Sequence, residues 1–91
     1  MKKPDGYDKI TTREEHKHCW HNQKEIQVSE QCGCFYCLSV FSPAEIVEWV
    51  DKSPHRSDTA LCPKCGIDSV IGSAGVKFTP DLLKKMQQEW F

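Results

Sequence analysis

The chain has 91 residues, 38% of them hydrophobic and 27% charged, and 12 Lys and Arg against 13 Asp and Glu leave a formal net charge of −1. The basic residues are dispersed among acids, which argues against a nucleic-acid module, since phosphate contacts supply most of the affinity of such modules and call for a basic patch. A chain this short buries too little apolar surface to be secure on its core alone, so disulfides or a metal are expected to staple it, and six cysteines supply the material.

The first residues, 1–9, are polar and show no apolar stretch of a secretory signal, and no apolar run anywhere is long enough to cross a bilayer. A cytoplasmic, reducing compartment is therefore the expectation, and there paired cysteines hold metal more often than they bridge each other.

Residues 1–10 read as a flexible arm, with Pro4 and Gly6 breaking any helix, ahead of one zinc-binding domain over 11–91. Thr12-x-x-Glu15 has the form of a capping box and predicts a helix over 13–29 with a thin apolar face of Cys19, Trp20 and Ile26. Cys32-Gly33-Cys34-Phe35-Tyr36-Cys37 follows as a first knuckle. Ser42 as N-cap, Pro43 in the first helical position and Glu45 closing a capping box predict a second helix over 42–50, with Ile46, Trp49 and Val50 on one face. Residues 54–58 have loop composition.

Two strands, 59–61 and 67–71, then flank Cys62-Pro63-Lys64-Cys65-Gly66, the layout of a zinc-ribbon hairpin in which Gly66 takes the left-handed conformation. Residues 72–75 make a turn. Thr79, Pro80 and Asp81 start a last helix, whose stripe is Leu82, Leu83, Met86 and Trp90. The expected fold is α+β: a small zinc-stabilised domain with zinc-ribbon or treble-clef-like knuckles, one short β-hairpin and about three helices.

The chemistry is concentrated in two Cys-x-x-Cys pairs, Cys34/Cys37 and Cys62/Cys65, separated by 24 residues. One such pair lets both sulfurs of a turn reach a single ion, and two pairs complete a tetrahedral shell of thiolates around one structural Zn²⁺. Four ligating thiolates and the ion would take the net charge from −1 to about −3. Four sulfurs leave no open position for water or substrate, so the metal would be structural. Two disulfide or redox pairs are the competing reading.

Cys32 lies outside the Cys-x-x-Cys spacing and is expected to be a small buried residue. The run His16-Lys17-His18-Cys19-Trp20-His21 invites a second metal, but on one helix His18 and His21 share one face while His16 and Cys19 form another pair, so surface or packing roles are the simpler reading. His55 with Asp58 suggests acid–base work, against a solvated loop histidine. Most of the aromatic residues are expected in the core, and Trp90-Phe91 is expected to dock back onto the domain.

The stretches Cys32-Gly-Cys-Phe-Tyr-Cys37, Phe41-x-Pro43-x-Glu45-Ile46-x-x-Trp49 and Thr59-Ala-Leu-Cys-Pro-Lys-Cys-Gly-Ile-Asp-Ser-Val-Ile-Gly72 resemble a family of small bacterial and phage proteins described as cytoplasmic. The likeness runs from about His18 through Phe91. It implies a zinc-ribbon-like metal site and no particular activity. In the run Gly66-Ile-Asp-Ser-Val-Ile-Gly72, Asp68 and Ser69 are candidates to brace the knuckle or to mark a binding surface.

A closed metal site, no nucleophile–base constellation and no basic patch together point to a non-enzymatic module that binds another protein. The rivals are a nucleic-acid-binding zinc ribbon and a metal-dependent hydrolase or nuclease built on the His16–His21 cluster.

Overall fold

The computed structural model describes residues 10–91, an α+β arrangement of three short α-helices and five short strands. The expected arm lies outside the described residues except for Ile10, which is buried in the core.

The predicted helix over 13–29 is broken. α1 spans Arg13–His16, a 3₁₀ turn spans Lys17–Cys19, and α2 spans Gln23–Gln27. Between them Trp20 is extended and His21 adopts a left-handed φ of 49°. Asn22 explains the break. Its buried amide donates to the His18 and Val70 carbonyls at 2.9 and 2.8 Å and accepts from the Ala60 N–H at 3.1 Å. The last two bonds tie the segment to two distant strands, and a thin apolar stripe offers too little to outweigh them. The Thr12 capping box is also absent. Thr12 Oγ1 is drawn instead to the last helix, donating to Glu89 at 2.7 Å and accepting from Trp90 Nε1 at 3.0 Å.

The predicted helix over 42–50 is a correction of a different kind. Its start is as expected: Glu45 accepts from the Ser42 N–H at 2.8 Å, and Ser42 Oγ accepts from Ala44 at 3.3 Å. Yet only the 3₁₀ turn Pro43–Glu45 forms, and the chain turns extended at Ile46. Ile46, Val47, Trp49 and Val50 are β-branched or aromatic residues that fit a pleated surface, and strand pairing wins. Trp49–Val50 becomes β3 and pairs antiparallel with β4, Thr59–Ala60.

The main sheet has the order β2-β1-β5, all antiparallel, with β1 spanning Cys32–Cys34, β2 Val40–Phe41 and β5 Val70–Gly72. The expected hairpin of 59–61 with 67–71 is therefore not formed, because each segment pairs elsewhere. A knuckle-bearing hairpin does exist, one knuckle earlier, where β1 and β2 flank Cys37.

Alternation along β1 and β5 splits the core into two. On one face Cys32, Cys34 and Val70 pack with Ile26, Phe41, Ile46, Ala60 and Cys62. On the other, Ile71 packs with Phe35, Leu83, Met86 and Trp90. A Cβ on Gly33 would come within 2.9 Å of Leu83 Cδ1, so this glycine is what lets the last helix lie close against the strand.

That helix, α3, spans Pro80–Trp90 with Thr79 Oγ1 accepting from the Leu82 N–H at 3.1 Å, as the caps predict. Leu83, Met86 and Trp90 are its buried face. Each contributes roughly 1.5–3 kcal/mol by leaving water, which holds a helix too short to persist alone. Trp90 docks as expected. Phe91 stays 53% exposed against the edge of Tyr36. Among the described residues no helix is long and apolar enough to cross a membrane.

Candidate metal centre

Both Cys-x-x-Cys pairs fold into the same turn. In the first, the Leu38 N–H donates to the Cys34 carbonyl and the Tyr36 N–H to Cys34 Sγ, at 2.9 and 3.4 Å. In the second, the Gly66 N–H donates to the Cys62 carbonyl and the Lys64 N–H to Cys62 Sγ, at 2.9 and 3.3 Å. Each turn closes on a left-handed residue directly after its second cysteine, Leu38 at φ 66° and Gly66 at φ 79°. Gly66 meets the expectation. Leu38 carries no sequence signal for that conformation, because a side chain of its kind disfavours it.

The sheet and the β3–β4 pair bring the two turns together. The sulfurs of Cys34, Cys37, Cys62 and Cys65 all lie within 4.8 Å of one another, the only such group of three or more donors among the described residues. Cys34 faces Cys65 at 3.7 Å and Cys37 faces Cys62 at 3.7 Å. A disulfide needs about 2.05 Å, so neither pair is bonded. For an ion such as zinc, with bonds to sulfur near 2.3 Å, the edge of a tetrahedron of sulfurs is about 3.8 Å. These two separations match that edge, and the four cysteines, all within 4.8 Å of one another, can hold a metal ion.

Hydroxyls support the sulfurs. Ser69 Oγ lies 3.2 Å from Cys34 Sγ, where it can donate to a thiolate, and the Cys37 thiol donates to Ser39 Oγ at 3.3 Å. Ser69 is thus a brace of the site twice over, its hydroxyl on sulfur and its carbonyl accepting from the Phe35 N–H of the first knuckle at 3.0 Å. Ser39 was missed, and its position two residues after Cys37 is the only cue.

Without a cation, burial pushes the Cys34 and Cys65 thiols up, and the crowded neighbouring sulfurs add to it. Partial burial of Cys37 works the same way, but hydrogen bonding at Ser39 outweighs it and holds that thiol down to about 7. A divalent ion reverses the local balance, since a coordinating thiol is deprotonated outright.

Cys32 is fully buried in the core and outside the group, as expected. The His16–His21 run does not converge on one point. His16 stacks on Trp90 with ring centres 3.6 Å apart, His18 Nδ1 lies 2.9 Å from Glu25, and His21 Nδ1 donates to the Ser57 carbonyl at 2.7 Å. Among the described residues no hydrogen bond joins His55 to Asp58; the His55 N–H donates to Ser53, and the Asp58 carbonyl accepts from Gln23. Asp68 stands apart from the knuckle and lines a cleft with His16, Cys19, Trp20 and Asp51.

Comparison with known proteins finds no matching family, no matching curated protein and no matching solved structure.

Proposed function

We propose that the chain is a small cytoplasmic protein in which one structural Zn²⁺, held by Cys34, Cys37, Cys62 and Cys65 in zinc-ribbon or treble-clef-like knuckles, fixes a non-enzymatic surface for binding another protein. The resemblance to the small bacterial and phage proteins described as cytoplasmic belongs to the same proposal.

The observation that carries it is the spacing of the four sulfurs. Two separations of 3.7 Å match the edge of a zinc–thiolate tetrahedron and all four sulfurs lie within 4.8 Å of one another; four thiolates close the shell, leaving a metal that organises the chain rather than meeting a substrate. Trp20 and Phe91, 63% and 53% exposed, stand on the surface so organised and are of the residue class enriched at interfaces.

Elemental analysis of the purified protein is expected to give one zinc per chain. Capture from an extract of the source cell is expected to retain a protein partner with the loaded chain and not with a Cys37→Ser variant. Two metals per chain, one bearing water, would favour the hydrolase instead. The nucleic-acid reading is tested by a mobility-shift assay across salt, where tight and salt-sensitive binding would displace the proposal.

A further inference from the structure

The cleft lined by His16, Cys19, Trp20, Asp51 and Asp68 has a volume of about 250 Å³ and lies apart from the metal centre. That is below the roughly 300–1,000 Å³ of small-molecule sites and suits a single inserted side chain. Its walls combine an aromatic face with negative charge. Trp20 is 63% exposed yet held in place, its Nε1–H donating to Asp51 Oδ2 at 3.2 Å. Asp51, at one end of this contact, has φ 59°, and His21, next to the extended Trp20, has φ 49°. Among the described residues the Asp68 carboxylate has neither an ion pair nor a hydrogen bond.

Two other uses of these groups fail. A metal would need a third donor close to the others, and among the described residues only the four cysteines assemble one. Cysteine chemistry would need a thiolate, whereas burial, with Asp68 adding to it, pushes Cys19 up to about 12.

We infer that this cleft receives an arginine side chain of a partner polypeptide, with Trp20 stacking on the guanidinium and Asp68 accepting its N–H groups. A planar, weakly hydrated cation matches an exposed indole beside an unpaired carboxylate better than a compact ammonium does. The inference rests on the protein-binding reading above and names the chemistry of the partner at one surface.

The test titrates the zinc-loaded chain, labelled with ¹⁵N, with a short neutral peptide carrying one arginine, and with the same peptide carrying citrulline or lysine. The arginine peptide is expected to shift the Trp20 indole N–H and the Trp20, Asp51 and Asp68 amides in a saturable way. The lysine peptide binds more weakly, and citrulline leaves the signals in place. Trp20→Ala and Asp68→Asn, the first at an exposed position and the second isosteric, are each expected to weaken binding about tenfold, followed on the remaining amides.

Equal shifts with citrulline or lysine, unchanged affinity in Asp68→Asn, or no shift at millimolar peptide would overturn the assignment. Shifts confined to another face, such as Tyr36 and Phe91, would overturn it while leaving the protein-binding reading intact. That reading fails separately, if the loaded chain captures no partner.

Discussion

Gly66 offers a clean test of how the knuckles are built. It closes the second turn at φ 79°, and a Cβ placed there meets nothing within 4 Å. Substitution by alanine therefore adds no clash, and its whole effect is conformational. Holding an L-residue in the left-handed region costs roughly 1–2 kcal/mol. Alanine recovers about 0.4–1 kcal/mol by narrowing the unfolded ensemble. The net loss expected for Gly66→Ala is about 1 kcal/mol. On the proposed structural-zinc site binding and folding are one process, so the loss should appear either as about fivefold weaker zinc in a chelator competition or as a midpoint roughly 4–8 °C lower at fixed free zinc. Asn tolerates this conformation, so Gly66→Asn should lose less than half as much. A neutral Gly66→Ala, or equal losses for Ala and Asn, would refute the conformational explanation.

Asn22→Ala should cost about 3 kcal/mol in chemical denaturation of the zinc-loaded chain, since it leaves the Ala60 N–H and the Val70 carbonyl without their buried partner. Cys32→Ala should lose only about 1 kcal/mol and retain one zinc, whereas Cys34→Ala should lose the metal; zinc loss in both would misplace the ligand set. Glu89 reports on the joint between α3 and the start of the described chain. Slight burial opposes its ionisation, but the Thr12 and Thr11 donors outweigh that and hold its carboxyl below the ordinary range. A folded value below the unfolded one means stabilisation that is complete above the ordinary carboxylate pKa and is lost as pH falls through the folded value. Protonation of the proposed zinc ligands would also destabilise at low pH, so the measurement is the difference between the wild type and Glu89→Gln. That difference should shrink on acidification, and a constant difference would show that the carboxylate charge plays no part.

What could be read in advance depended on how local its cause was. The two Cys-x-x-Cys turns and α3 were legible because spacing, caps and apolar stripe agree within a few residues: Thr79, Pro80, Leu83, Met86 and Trp90 all point one way. The helices expected over 13–29 and 42–50 had good starts but weak continuations. Distant partners decided them, through Asn22 reaching Val70 and Ala60, and Trp49 pairing with Ala60. The ribbon hairpin was displaced for the same reason, since β5 pairs with β1 from across the chain rather than with its neighbour. At the metal centre the four sulfurs were legible and their setting only partly so. Ser69 was singled out but Ser39 was not, and Leu38 holds a conformation that its side chain argues against.

The most direct measurement is a zinc titration of the reduced, chelator-stripped chain followed by circular dichroism and amide dispersion. A four-thiolate site is worth on the order of 10–16 kcal/mol in zinc-finger peptides, as much as the whole stability of an ordinary domain. The stripped chain should therefore be unfolded and should regain its structure at one equivalent of zinc. A stripped, reduced chain that keeps dispersed amides and unfolds cooperatively would contradict the role given to Cys34, Cys37, Cys62 and Cys65.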